Sequence, residues 1–417
     1  MNIVIWLSIL IGFCWWMVAL INRLHSFPLK CHDIRKINRP LFLFSASGPF
    51  VLLLIPGLLF PGLLLGGDFF SLPFPVQCVW SVIALGCLGL YLQWMTSCYN
   101  WLIQRQIPTR SHVIDLKQEV GESIFGQGHY LKIAKLKFNE VSSVEVNEKQ
   151  LTVPGWPAHL DGFRVLHLTD FHIDGTLTPD YFNAALDKLD NFPKPDLSLF
   201  TGDLIDDPRY LDWIPKIMNR GDARLGRYYL LGNHDWNLDV EPLRETMESL
   251  GWIPMAGQVL TVSDGPKKIT LCGSEKPWMG NYPNANEFPS DAPVLLASHS
   301  PDDIQWAKKH GVDLVLAGHN HGGQIRFPGF GPLLAPSWYG TRYASGVYFS
   351  KSTVMHVGRG LSGRHPLRWN CRPEISHLVI RASHASRHIA QSSQQLEQSG
   401  VLQTPNAATA RVCAPEE

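Results

Sequence analysis

Phe163-Arg-Val-Leu-His-Leu168, a run dominated by large apolar side chains, leads directly into Thr169-Asp-Phe-His172. A compact apolar run bounded by polar residues reads as a buried strand. An Asp and a His one residue apart can both reach the same side of an extended backbone, so Asp170 and His172 make a chelating pair. The arrangement recurs downstream. Leu197 to Phe200 leads to Gly202-Asp-Leu-Ile-Asp206, and Tyr228 to Leu231 leads to Gly232-Asn-His-Asp235. Val294 to Ala297 is followed by Ser298-His-Ser300, and Leu314 to Ala317 by Gly318-His-Asn-His321, whose two His form a second pair. Helix candidates lie between several of these strands, including Pro179 to Leu189, with Thr178 as N-cap, and Val240 to Leu250. Strands alternating with helices indicate an α/β fold, in which ligands collect outside the carboxyl ends of the strands.

Each fragment alone is weak, since Gly, Asn and Asp favour ordinary turns. Five in succession, each directly after an apolar strand, point to a metal centre. Their pattern is similar to that of the calcineurin-like metallophosphoesterase superfamily: Asp-x-His, Gly-Asp-x-x-Asp, Gly-Asn-His-Asp/Glu, a lone His, then Gly-His-x-His. The resemblance covers residues 162–321 by motif and extends to about residue 380. Gly322-Gly-Gln-Ile-Arg326, with the apolar segments described below, is most similar to the membrane-associated branch, some of whose members are UDP-2,3-diacylglucosamine hydrolases.

The resemblance implies an α/β (α+β) domain built as a four-layer α-β-β-α sandwich and a site holding two divalent metal ions. Asp170, His172 and His321 would hold one ion, Asn233, His299 and His319 the other, and Asp203 would bridge them. Mixed carboxylate, imidazole and amide ligands suit Mn, Fe or Zn, whereas a structural zinc would call for thiolates. No covalent protein nucleophile is required. His234 is not needed as a ligand and is assigned to catalysis, as acid or charge stabiliser at the phosphoryl group. Asp206 is placed to orient His234, its alternative role being a helix N-cap. Asp207 and Asp235 read as capping or solvent-facing residues. Gly202, Gly232 and Gly318 each precede a candidate ligand and suit close backbone approach as well as ordinary turns. His167 reads as a satisfied core histidine. Arg326, Arg342, Arg359 and Arg364 could grip a phosphate or lie in solvent, and the sequence does not choose among them.

Outward from this region the composition changes. The chain has 417 residues and balances 36 basic against 36 acidic side chains, which excludes a polycationic nucleic-acid binder. Only seven of the 72 charged residues fall within the first 103 positions. Three uncharged windows there, residues 3–21, 41–65 and 76–103, reach the ~20 residues needed to cross a bilayer. The second carries Pro49, Pro56 and Pro61 and is expected to be kinked or broken. The first reads as an anchor rather than a cleaved signal, since no basic n-region precedes it. Residues 22–40 hold five basic side chains against one acidic, so the positive-inside rule turns this connection and the large domain toward the cytoplasm. The eight Cys have no Cys-x-x-Cys spacing and form neither a disulfide framework nor a zinc site.

The organisation expected is a transmembrane region over residues 1–103, a linker with leading strands over 104–155, the catalytic domain over 156–382 and a disordered tail over 383–417. Tyr130 to Phe138, within the linker, alternates apolar and basic residues with the period of a strand. The function expected is hydrolysis of a phosphodiester or pyrophosphate bond by an integral protein of the inner (cell) membrane whose catalytic domain is cytoplasmic. The partners are then the bilayer and a phosphate ester, with a lipid-linked ester such as UDP-2,3-diacylglucosamine favoured because a tethered site sees amphipathic substrates at raised concentration. The alternatives are a soluble phosphodiester or phosphomonoester substrate, and a non-catalytic metal-binding scaffold.

Overall fold

A computed structural model describes residues 2–59, 69–265, 267–350 and 352–383. The tail from residue 384 and the end of the second apolar window lie outside the described residues. Four helices come first: α1 (Asn2–Leu24), α2 (Cys31–Leu59), α3 (Phe74–Ala84) and α4 (Gly86–Gln104). By length and composition, Val4–Leu24 and the α3–α4 run Phe74–Gln104 are able to cross a membrane. At the crossing of α1 with α3–α4 the backbones nearly touch. A Cβ on Gly12 would lie 2.1 Å from the Ile83 carbonyl oxygen, and one on Gly86 2.3 Å from that of Gly12, so only glycine permits this approach. The second window, expected to be kinked or broken at its prolines, is helical past Pro49 and Pro56 to Leu59 within α2, and Pro61 lies outside the described residues.

The strands follow. β1 (Thr109–Asp115), β2 (Ser143–Val153), β3 (Phe163–Leu168), β4 (Leu197–Thr201), β5 (Arg227–Leu230) and β6 (Trp252–Pro254) come first. β7 (Val259–Asp264), β8 (Lys267–Ser274), β9 (Val294–Ser298) and β10 (Leu314–Ala317) come next. Then follow β11 (Arg326–Phe327), β12 (Gly331–Pro332), β13 (Gly346–Ser350), β14 (Thr353–Val357) and β15 (Glu374–Ala382). One sheet has the order β1-β2-β15-β3-β4-β5-β6 and the other β13-β14-β10-β9-β8-β7. The last strand therefore enters the middle of the first sheet, parallel to β2 and antiparallel to β3.

Three apolar cores define the layers. Between the sheets lie Phe163, Val165, Leu199, Leu271, Leu295, Leu316 and Leu378. On the outer face of the first sheet, Leu166, Leu168 and Phe200 meet Tyr181, Phe182, Leu243 and Met247 from the helices Pro179–Leu186 and Glu241–Ser249. On the outer face of the second, Leu296, Val315 and Met355 pack against Ile304 and Ala307 of the helix Ile304–Lys309. The result is the four-layer α-β-β-α sandwich. β3, β4, β5, β9 and β10 are buried along almost their whole length, which is why they read as continuous apolar runs rather than alternating ones.

Two local readings are corrected. Tyr130 to Phe138 contains a helical turn, Leu131–Ala134, rather than a strand. The amide of Asn139 donates to the Ile133 carbonyl at 2.9 Å and to that of Pro366 at 2.7 Å, fixing the turn from outside the window in which its alternation was read. Thr178 occupies the N-cap position but makes no capping bond; its hydroxyl donates to the Ser123 carbonyl at 2.6 Å.

Candidate metal centre

Parallel register brings the strand ends level. Leu168 pairs with Phe200 and Thr201 with Leu230 in the first sheet, and Ser298 pairs with Ala317 in the second. The backbone continues this alignment past the strands: Asp170 N–H donates to the Gly202 carbonyl, His172 N–H to that of Asp203, and Gly318 N–H to that of His299. All five motif loops thus meet at one edge of the sandwich.

The candidate ligands converge there. Asp170, His172, Asp203 and His321 offer ligand atoms within 4.8 Å of one another, as do Asp203, His299 and His319. Asp203 belongs to both groups. His172 Nε2 lies 3.1 Å from His321 Nε2 and 3.4 Å from Asp203 Oδ2, while His299 Nε2 lies 3.3 Å from that same Oδ2 and 3.0 Å from Asn233 Oδ1. Asp203 Oδ2 and His319 Nε2 are buried without a hydrogen-bond partner. Buried polar atoms are nearly always satisfied, so acceptors gathered around one space fit a pair of cations.

The backbone at these positions is unusual. Asp170, His172, Asp203, His319 and His321 all have φ between 48° and 70°, the left-handed region in which non-glycine residues are uncommon. Such conformations cost ~1–3 kcal/mol each and cluster at functional sites. Close packing adds a constraint at Gly232, where a Cβ would stand 2.1 Å from Asp203 Oδ1 and 2.6 Å from His299 Cε1.

His234 and Asp206 lie beside the cluster. His234 Nδ1 is 2.6 Å from Asp206 Oδ1, and Asp206 also reaches His172 Nδ1 at 3.2 Å. The carboxylate therefore ties a candidate ligand to the candidate acid, and it caps no helix. Burial alone would raise the Asp206 pKa, but the His234 and His172 imidazoles outweigh it and hold the carboxyl well below the usual range. Asp207 caps the following turn by accepting from Arg209 N–H at 3.0 Å. Asp235 does not face solvent. It is fully buried and accepts from Leu204, Ile205 and Gly232 N–H groups, joining the loops that carry Asp203 and Asn233. Burial first, then the Asp203 charge, pushes its pKa up to about 7.

Several contributors carry no sequence signal. Trp278 covers one side, with its ring 4.8 Å from that of His319 and 5.4 Å from that of His299. The buried Arg368 donates to the carbonyls of His321 and Arg359, bracing the last motif from beneath. Among the four arginines left open by sequence, Arg359 pairs with Glu145 at 2.7 Å and with Glu374, and Arg326 donates to Ser345 Oγ at 3.3 Å. Arg342 lies 5.3 Å over the Tyr343 ring. Arg364 lines the cavity of about 840 Å³ that contains Asp203, Asn233, His234, His319 and His321.

Behind the site, Glu374 accepts from Lys149 Nζ at 2.5 Å, from Arg359 and from Ser376, with the His356 imidazole 3.7 Å away. His356 in turn meets His167 Nδ1 at 3.0 Å, and His167 Nε2 meets Thr201 Oγ1 at 3.0 Å, so His167 is a satisfied core histidine. Burial would raise the Glu374 pKa, but Arg359 and Lys149 hold it well below 4.5. A depressed carboxyl contributes stability that is fully present above its unfolded value and is lost as pH falls through its folded one. Glu374→Ala leaves the half-buried Lys149 without its carboxylate and Arg359 with Glu145 as its remaining one, and is expected to cost ~3 kcal/mol. A thermal midpoint at pH 7 unchanged from wild type in detergent-solubilised protein would contradict this.

Ligand loops at the strand ends and a buried Asp shared by two ligand groups fit a metal-dependent phosphoester hydrolase, and the comparisons define that class. Residues 163–323 match the family model described as Calcineurin-like phosphoesterase. A metallophosphoesterase of Bacillus subtilis, YkuE, is 30% identical over 257 residues, 59% of this chain and 89% of that one. Phosphodiesterase YaeI of Escherichia coli is 28% identical over 223 residues, covering 52% of this chain and 82% of its own. The UDP-2,3-diacylglucosamine pyrophosphatase LpxG of Chlamydia muridarum is 25% identical over 298 residues, covering 56% and 89%. The chain belongs to the calcineurin-like metallophosphoesterases, which use two divalent metals.

Proposed function

We propose that the protein is a membrane-anchored dinuclear phosphoesterase that cleaves a phosphodiester or pyrophosphate bond in a lipid-linked substrate such as UDP-2,3-diacylglucosamine, at the cytoplasmic face of the inner membrane. The observation that carries this reading is the shape of the cavity. It runs from the ligand cluster to the apolar helices, where Ile21, Ile34 and Phe42 line it together with Leu333 and Leu334 of the catalytic domain. Val4, Val79, Val82 and Leu88 are more than half exposed, as suits helices in lipid. The basic α1–α2 connection touches the catalytic domain through Lys30, whose ammonium lies 3.7 Å from the Trp236 ring centre, so both stand on one side. Positive connections favour the cytoplasm.

Asp170, His172 and His321 would hold one ion and Asn233, His299 and His319 the second, with Asp203 between them. Such ions polarise a phosphoryl oxygen and make water nucleophilic near neutral pH. Asp206 accepts the Nδ1 proton of His234 and so fixes the ring with Nε2 available for proton transfer. In its imidazolium form, with Nδ1–H held by Asp206 and a second proton on Nε2, His234 would give the Nε2 proton to the departing oxygen as the P–O bond breaks, and be left as the neutral Nδ1–H ring. Trp278 shields the second ligand group from water.

The test is turnover of a lipid-linked nucleotide sugar against a soluble diester by detergent-purified protein supplied with Mn. A preference for the lipid-linked substrate is expected; a strong preference for the soluble one removes the lipid assignment. A protease that digests the catalytic domain in intact cells would contradict the orientation.

A further inference from the structure

The N-terminal helices hold the catalytic domain by one of its own segments, residues 327–349, which follow the last ligand motif. Four side chains along the second half of α4 donate to its backbone carbonyls. Gln93 reaches Pro332 at 3.3 Å, Trp94 reaches Gly329 at 2.9 Å, Asn100 reaches Arg342 at 2.9 Å and Gln104 reaches Val347 at 2.6 Å. Gln104 also accepts from Val347 N–H at 2.8 Å. From α1, Asn22 donates to the Leu333 carbonyl at 3.2 Å and accepts from Ala335 N–H at 3.0 Å. The segment is thus fixed in depth and orientation against both helices.

That depth follows from helix length. A bilayer core takes ~20 helical residues. Counted from Val4 they end at Arg23, and counted from Phe74 they end at Gln93, so both spans leave the hydrocarbon beside the side chains that tie the segment. Tyr99 and Trp101, farther along α4, are more than half exposed and suit the headgroup layer. The segment has an apolar surface of its own at this level. Leu334 and Trp338 are half exposed, and Phe327 and Phe349 nearly so. Trp338 N–H donates to Asp302 Oδ2 at 2.8 Å, so its ring is presented by a held backbone rather than a loose loop. Phe27, in the α1–α2 connection, meets that ring edge-on at 6.0 Å and carries the surface onto the helices. Residues 322–350 include Arg326 and Arg342 but no acidic side chain, a pattern that anionic headgroups do not repel. A clustered apolar surface of this kind marks an interaction site, and its continuity with the spans selects lipid as the partner.

We propose that the surface carrying Phe327, Leu334, Trp338 and Phe349 rests in the headgroup layer of the leaflet from which α1 and α4 emerge. This rests on the membrane-anchored reading and goes beyond it: the catalytic domain itself touches the bilayer instead of hanging from a tether. Phe327 and Leu334 also line the cavity that holds Asp203 and Asn233. A phosphate ester with an acyl tail would reach the site along this surface while its tail stays in lipid.

The test replaces Phe327, Leu334 or Trp338, one at a time, by photoreactive p-benzoylphenylalanine in the full chain. Each protein is reconstituted in nanodiscs of phosphatidylcholine and phosphatidylglycerol, irradiated and analysed by mass spectrometry. Two further positions calibrate it. Val82, more than half exposed on α3, reports the bilayer. Ile253, 42% exposed on β6, lies beside Tyr228 near the amino end of β5, away from the ligand loops, and reports background. Unchanged turnover of bis(p-nitrophenyl) phosphate by the Trp338 variant serves as the check on folding. Lipid adducts are expected at all three surface positions and at Val82, with none at Ile253. Adducts at Val82 alone overturn the surface and leave the anchor standing. Adducts to a second copy of the chain at 327, 334 and 338 overturn it as well, since the patch would then be a protein interface, and so do lipid adducts at Ile253 as abundant as those at Trp338. No lipid adduct at Val82 removes the anchor and the surface with it.

Discussion

Asp203→Ala is expected to lose bound metal and activity together, with turnover falling on the order of 10³-fold or more, as loss of several kcal/mol of electrostatic stabilisation implies. The reason is its shared position. Its Oδ2 stands 3.4 Å from His172 Nε2 and 3.3 Å from His299 Nε2, at the junction of the two ligand groups, while Oδ1 accepts from His234 N–H at 2.8 Å. Alanine removes the only anionic atom common to both groups and leaves imidazoles facing one another. Elemental analysis of the purified variant should find fewer than two ions per chain. Two tightly held ions in this variant would show that Asp203 is not the bridge.

His234→Ala should behave differently, lowering turnover by ~10²–10⁴-fold while both ions stay bound. Its ring is held by Asp206 rather than by the ligand cluster alone, so its removal need not disturb the ligands. Asp206→Asn should give a smaller loss, ~10–100-fold, since it acts by orienting the ring and His172. Because the two residues work as one unit, the double variant should be little worse than His234→Ala. Full activity in His234→Ala would remove its assignment as the proton donor, and loss of metal there would recast it as part of the ligand set.

The meeting of the seven candidate ligands was legible because each sits immediately after an apolar strand, and the alternation of strands and helices places those ends at one edge. The four layers followed from the family pattern rather than from composition. What stayed hidden depends on approach between distant segments. Asp235 looked like a turn residue because its partners, Leu204 and Ile205, are about thirty positions away. The left-handed backbone at five of the ligands has no local signature in Asp or His. Residues 22–40 read only as a charged connection between spans, since nothing in Arg35 or Asn38 reveals that they line the cavity that also holds His234. The four arginines were separable only once Glu145 and Glu374 had claimed Arg359.

The placement of β15 bears on how the chain matures. It fills the gap between β2 and β3, yet about 200 residues separate it from the end of β3. At ~5–20 residues per second of synthesis, both neighbours wait on the order of 10–40 s with an open, hydrogen-bond-hungry edge. During that interval the nascent first sheet is a template for wrong partners, and its protection falls to chaperones.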